Sequence, residues 1–388
     1  MSAPTFRRAN LRSFNSTVNL APSAAPRRAR DERLDFWRGL CLIDMVLVHL
    51  MYQNVQFGTV LGKVIGSYTR FAAGGFIFIS GMSIGIIFLP RALDPGRRAA
   101  TYVSLWRRSL YILAIQYINA LGQMLLAELE GNGGTYNSLW HVLRNVVLMR
   151  EGGDLLPFYI LMIALSPLML EFLRRRGGTL ILAALSLCGF LYGMSHPWTF
   201  SVAVHDKFPP ILWQAMFISG LIFANSFKRY DALQLRWKML TAAAAWTVFG
   251  LLFVSEFSSD FGLPHLNLHL SFLKIPLSDG EALRYLSMIV GIVVTTDMLW
   301  RRFLIASPLA EFVQTLGRKS LAVYVCHLWV VEGTALLASY LWWMGAWQII
   351  MAVAAVLVLW LFALILDLRS SPRQTRQRPF LVAEMAQN

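Results

Sequence analysis

The stretch from Arg30 to Leu50 places ionisable residues inside an apolar run. Arg38 and His49 are eleven residues apart, so in an α-helix they lie within about 20° of one face and about 16 Å apart along the axis. Such residues are costly in a membrane helix and are therefore candidates for function. The alternative is that Asp35 and Arg38 are charges at the membrane interface and that His49 is a packing residue.

A second such stretch runs from Leu316 to Leu328. His327 follows Arg318 by nine residues, about 13 Å of helix, which is close to the depth predicted for His49. Tyr324 lies one turn before His327 on the same face. Two imidazoles at similar depth could meet inside a helix bundle. Glu332 lies further along, and both a packing role and a role near an acceptor remain open for it.

A third stretch, Gly74 to Gly81, contains small residues that allow close helix packing. The residues alone favour packing as its role. Ser80 is a plausible polar group lining a path through the bundle.

The elements that must position these residues are about ten apolar segments of membrane-spanning length. The composition, 56% hydrophobic and 13% aromatic, is that of a membrane protein. We therefore predict an all-α polytopic integral membrane protein. The predicted spans are 36–56, 71–89, 105–127, 155–173, 178–195, 211–227, 240–257, 283–300, 320–340 and 341–366.

The basic residues indicate the orientation of these spans. Clusters such as 97–98, 174–176, 228–229 and 301–302 fall in alternate loops, and the opposite loops hold most of the acids. The positive-inside rule then places both termini in the cytoplasm. We predict a disordered basic tail over 1–30, a transmembrane domain over 31–368 and a basic tail over 369–388, in a multi-pass protein of the bacterial inner membrane.

The net charge of +14 does not indicate nucleic-acid binding, because the basic residues lie in short clusters between apolar runs. The three cysteines lie in apolar segments without metal-binding spacing. His265 and His269 are four residues apart, but Pro264 precedes them and the loop appears irregular in sequence. No metal site is predicted.

The first stretch, R-L-D-F-W-R-G-L-C-L followed by His49, resembles the first-helix signature of the acyltransferase-3 superfamily of membrane acyltransferases. The form D-x-R-L-D-F-W-R-G is most similar to the OpgC branch, which adds succinyl groups to osmoregulated periplasmic glucans. F-x-F-x-S-G, ending at Gly81, and G-R-x-S-L-x-V-Y-x-x-H, ending at His327, resemble the second-helix and late-helix patterns.

The resemblance implies a membrane O-acyltransferase that uses acyl-CoA, succinyl-CoA in the OpgC branch, as co-substrate without a bound cofactor. The lipid bilayer and a periplasmic glucan or other envelope polysaccharide would be its partners. In this hypothesis His49 is the general base, and His327 and Tyr324 assist the oxyanion or the acceptor. The predicted substrate-binding residues are Arg38, Asp35, Arg33, Ser80, Arg318 and Lys319, with Asp35 orienting Arg38.

Two points remain open at this level. No Lys or Arg lies at mid-depth in the predicted spans, although an anionic succinyl group would require a cation. The alternative function is a proton-coupled secondary transporter, in which intramembrane acids and histidines form a relay. Its candidate relay residues are Asp44, His49, Asp297, His327 and Glu332.

Overall fold

The computed structural model describes residues 31–54, 66, 69, 71–129, 155–198, 208–258, 268–274, 276–341 and 346–370, and these contain α-helices and no strand. The helices are Glu32–Asn54 (α1), Phe71–Leu93 (α2), Pro95–Leu129 (α3), Leu155–Arg174 (α4), Gly178–Ser195 (α5), Pro210–Asp231 (α6), Leu235–Phe257 (α7), Asp279–Leu299 (α8), Pro308–Arg318 (α9), Ser320–Leu341 (α10) and Ala346–Ser370 (α11). The two tails, 1–30 and 371–388, lie outside the described residues.

Seven of these helices are long and apolar enough to cross a membrane: α2, α4, α5, α6, α7, α8 and the part of α11 from Ile350 to Arg369. The all-helical membrane class is thus confirmed. The first, third and ninth predicted spans coincide with α1, α3 and α10, which are not among the seven. The count of ten spans and the cytoplasmic location of the termini stay predictions.

The connection before α10 contains structure that the sequence did not predict. A short π-helix, Trp300–Leu304, continues from α8, and the amphipathic helix α9 follows it. The Ser307 hydroxyl caps α9 by accepting a hydrogen bond from the backbone N–H of Leu309 at 3.2 Å. Pro308 occupies the first turn, where no intrahelical N–H partner is needed.

Helices α2 and α6 touch through their backbones, because a glycine of each helix lies against the backbone of the other. A Cβ built on Gly81 would lie 2.9 Å from the carbonyl carbon of Phe217, and one on Gly220 would lie 2.8 Å from that of Phe78. Both distances are shorter than an ordinary contact. The small residues of the second span therefore do serve close packing, and this packing holds Ser80 in the bundle.

Helices α1 and α9 cross equally closely. A Cβ on Gly39 would lie 2.8 Å from the carbonyl carbon of Val313, and one on Gly317 would lie 2.6 Å from that of Asp35. The backbone around Asp35 is thus held against α9. This contact positions the charged part of α1, including Arg38.

An ionic cluster joins α1, α6, α7 and α8 at one end of the bundle. Arg33 pairs with Asp231 at 2.8 Å and with Asp297 at 2.7 Å. Asp297 also pairs with Lys238 and accepts a hydrogen bond from Tyr230, each at 2.9 Å. Because Asp297 is buried, its three donors compensate for the loss of water around the carboxylate.

Candidate active site

A cavity lies between α1, α2, α3, α4 and α10. It encloses about 640 Å³ of empty volume, part of it open to solvent. About half of its lining residues are apolar. The polar lining residues are Arg38, Ser80, Ser83, Arg108, Tyr159, Ser320 and Tyr324. A mixture of apolar wall and few polar groups is typical of a small-molecule site.

Arg38 lies in the cavity wall beside Asp35. One guanidinium nitrogen of Arg38 lies 3.4 Å from the Asp35 carboxylate, one turn before it on α1, and both side chains are largely buried. The backbone contact of Asp35 with Gly317 holds this turn in place. Asp35 is thus placed to orient Arg38.

Arg318 and Lys319 lie outside the cavity lining, in ion pairs with the end of α11. Arg318 lies 3.1 Å and Lys319 3.6 Å from the Asp367 carboxylate, and Arg318 also pairs with Glu311 at 2.9 Å. Burial acts to lower the pKa of the Arg318 guanidinium, but the hydrogen bond to Glu311 and the nearby carboxylates raise it overall. The residue directly after this pair, Ser320, does line the cavity.

Arg33 also lies outside the cavity lining. Its two carboxylate partners, Asp231 and Asp297, belong to the ionic cluster at the end of the bundle. The guanidinium also lies over the Phe227 ring, 4.9 Å from its centroid. Five residues separate Arg33 from Arg38, so the two point in clearly different directions around α1.

Ser80 and Tyr159 face one another in the cavity wall. The two hydroxyls interact, without reaching hydrogen-bond geometry at the tyrosine oxygen. Tyr159 is buried and packs edge-on against Phe76, with centroids 5.8 Å apart. Sequence reasoning did not single out Tyr159, since a tyrosine in an apolar span carries no signal of its own.

Tyr324 links the cavity to the two histidines. Its ring lines the cavity and stacks on Phe76, with centroids 6.0 Å apart. Its hydroxyl accepts a hydrogen bond from the backbone N–H of Leu155 at 3.2 Å. On the other side its ring centroid lies 5.0 Å from that of His327.

The structure brings His49 and His327 together, with ring centroids 5.5 Å apart. His49 is exposed, whereas His327 is 1% exposed. The Nδ1 atom of His327 bonds to the backbone carbonyl of Tyr324, which can only accept, so Nδ1 carries the proton. In the neutral ring Nε2 is then an acceptor, and it is buried without a hydrogen-bond partner in the described part of the chain.

The histidine pair lies near the ends at which α2 and α4 begin. Asp44 accepts a hydrogen bond from the backbone of Ala72 in the first turn of α2, and His49 lies about 7.5 Å further along α1. Tyr324 touches Leu155, the first residue of α4. The pair thus lies near the ends of the bundle helices at which α2 and α4 begin.

Arg108 is the cavity residue that sequence reasoning missed. The predicted third span, 105–127, has Arg108 in its first turn, where a basic residue is read as marking the cytoplasmic end of a span. The structure begins α3 at Pro95, so Arg108 lies almost four turns inside the helix and lines the cavity. Its spacing from Ile112, one turn away in the same wall, was the available signal.

The sequence-predicted motifs all lie within a segment that matches a known family. The profile described as OpgC protein matches residues 30–371, nearly the whole chain. The chain belongs to the OpgC family. The OpgC family comprises membrane proteins that take part in glucan modification, with a transferase role.

A search of curated proteins gave no match to this OpgC-family chain. Its described residues contain no group of three or more His, Cys, Asp or Glu side chains that could hold a metal. His265 lies outside the described residues.

Proposed function

We propose that this chain transfers an acyl group, succinyl in keeping with its family, from acyl-CoA on the cytoplasmic side to a hydroxyl of a periplasmic glucan. The observation that carries the proposal is the continuous series formed by a cationic cavity, Tyr324 and the histidine pair. In such a series the acyl donor can enter at the cavity and the acceptor hydroxyl can approach from the side of the histidine pair.

The donor occupies the cavity in this mechanism. Arg38 is one of two guanidinium groups in the wall and attracts the negatively charged coenzyme A that carries the acyl group. The apolar residues of the wall surround the acyl chain and its thioester. The carrier's arm thus places the thioester carbonyl near Tyr324, which separates the cavity from His327.

The histidine pair moves the proton. His49 takes the proton of the acceptor hydroxyl while its oxygen attacks the thioester carbonyl carbon. His327 can accept but not donate at Nε2 while neutral. Its ring centroid lies 5.5 Å from that of His49, so this acceptor is close enough to stabilise a protonated His49. When the carbon–sulfur bond breaks, the departing thiolate receives the proton from His49.

Tyr324 is suited to stabilise the developing oxyanion. Its oxygen already accepts the Leu155 N–H, and its own O–H proton can be donated to the carbonyl oxygen of the thioester. This assigns the oxyanion role to Tyr324, because neutral His327 has no N–H to offer at Nε2. A covalent acyl-histidine step remains an alternative to direct transfer.

The experiment is acylation of periplasmic glucans in a deletion strain, measured by mass spectrometry after complementation. We expect wild type to restore the mass added by succinyl, and His49→Ala to reduce it by about 10²- to 10⁴-fold, as for loss of a general base. In His327→Asn the amide NH₂ can still donate to the backbone carbonyl of Tyr324, but the Nε2 acceptor is lost. This variant should also reduce acyl transfer.

His196→Ala is the matched control, because His196 is exposed and stacks on Tyr192 away from the cavity. Normal acylation by the His49→Ala variant would refute the assigned base. An added mass other than succinyl would retain the transferase and replace the donor.

The ion pairs of Asp297 do not favour the alternative function of proton-coupled transport. Asp297 is held between Arg33 and Lys238. A carboxylate compensated in this way has little tendency to bind and release protons. Release of coenzyme A without dependence on a proton gradient would distinguish the transferase from the transporter.

A further inference from the structure

The charges around the cavity are not balanced. Arg38 and Arg108 both line it, and no Asp or Glu does. Arg38 has Asp35 beside it. Arg108 is exposed where the cavity opens, and no ion pair joins it to a carboxylate of the described residues. The cavity therefore retains a positive charge that an anionic ligand would neutralise.

The position of Arg108 is held by packing on both sides. The hydroxyl of Ser109 donates to the backbone carbonyl of Ile160 at 2.8 Å, which ties this turn of α3 to α4. The Trp106 indole donates to the Ala164 carbonyl at 3.1 Å, one turn further along α4. The same face of α4 carries Tyr159 and Ile163 in the cavity wall. Arg108 thus extends from an anchored turn.

The surroundings of Arg108 indicate which kind of anion it binds. Ile84, Ile87, Phe88 and Ile112 line the same cavity, so part of the wall that they share with Arg108 is apolar. That environment suits a short methylene chain that ends in a carboxylate, which a guanidinium can bind through two parallel hydrogen bonds. A nucleotide would require more polar groups than this part of the wall offers.

We propose that Arg108 binds the free carboxylate of a dicarboxylic acyl group and so selects anionic over neutral acyl donors. The proposal rests on the transferase function and specifies its donor class. Arg108 is then the cation that an anionic acyl group such as succinyl requires.

The test compares two thioesters that differ in one group. Succinyl-CoA ends in a carboxylate where butyryl-CoA ends in a methyl group. With the full-length protein in lipid nanodiscs and unmodified periplasmic glucan, wild type should prefer succinyl-CoA. Arg108→Gln should lower kcat/KM for succinyl-CoA by about 10- to 100-fold, the loss expected for one charged hydrogen-bonding group, while leaving butyryl-CoA nearly unchanged.

Arg107→Gln is the matched control, since Arg107 is the neighbouring arginine and is exposed like Arg108, but does not line the cavity. Its donor preference should equal that of wild type. An equal loss of both donors in Arg108→Gln would show that Arg108 binds a phosphate of the carrier and would overturn the proposal. An unchanged preference would overturn it as well.

Failure of the proposed function gives a different result. If wild type transfers neither acyl group, equilibrium binding of the two thioesters replaces turnover as the readout. A selective 10- to 100-fold loss of succinyl-CoA affinity in Arg108→Gln would still support the carboxylate site. Equal affinities of wild type for both thioesters would overturn it.

Discussion

Replacing Gly317 by Ala tests whether the contact of α9 with α1 positions the cavity. The added Cβ would lie 2.6 Å from the carbonyl carbon of Asp35 and 3.0 Å from its Cα, whereas ordinary contact begins at 3.4 Å. The helices must therefore separate by about 1 Å, and both sides of the contact are backbone that cannot rotate away. Such overpacking costs about 1–3 kcal/mol of unfolding free energy.

The separation also displaces Asp35, and with it the turn that carries Arg38. We therefore expect weaker donor binding in addition to lower stability. Denaturant unfolding in detergent, followed by tryptophan fluorescence, measures the first effect as a change in midpoint at constant slope. The KM for the acyl donor measures the second.

Gly333→Ala is the control, because Gly333 lies in the next helix, α10, and a Cβ built there meets nothing within 4 Å. Gly333→Ala should leave the KM for the acyl donor unchanged. It should leave the unfolding midpoint unchanged or raise it slightly, since alanine favours the helix. The reasoning fails if Gly317→Ala and Gly333→Ala have the same unfolding midpoint. A stability loss without any change in KM would mean that the contact stabilises α1 but does not position Arg38.

Two further substitutions test other contacts. Arg284 pairs with Glu256 and with the fully buried Glu281. Arg284→Met should lower the free energy of unfolding by about 3–5 kcal/mol, because both carboxylates would lose this guanidinium. An unchanged unfolding midpoint would contradict this expectation. Tyr324→Phe should lower kcat by about 10²- to 10³-fold with an unchanged donor KM, since it removes the oxyanion donor beside Leu155. A rise in KM alone would instead assign Tyr324 to donor binding.

The residues on α1 and α10 could be identified from the sequence because their signal is local. The spacing of Arg38 and His49, and of Tyr324 and His327, follows from helix geometry alone. The structure places Tyr324 between the cavity and His327, and His327 beside His49. Whether these side chains perform the proposed chemistry stays a prediction.

The roles of the basic residues near the end of the bundle could not be assigned from the sequence. Arg33, Arg38, Arg108 and Arg318 all appear in sequence as charges flanking apolar spans. Their roles depend on which carboxylates other helices bring near them, as Asp297 does for Arg33 and Asp367 for Arg318. Those partners are distant in sequence, so no local pattern predicts them.

The sequence by itself determined that the chain is an all-helical membrane protein. It also determined that two of its helices carry polar or ionisable residues spaced to lie on one helix face. Hydropathy and helical period are properties of neighbouring residues, which is why they could be recognised directly. Only the tertiary structure decided that Arg108 lines a cavity and that His49 and His327 lie side by side. Both depend on how helices that are distant in sequence pack against one another, and no local pattern records that packing.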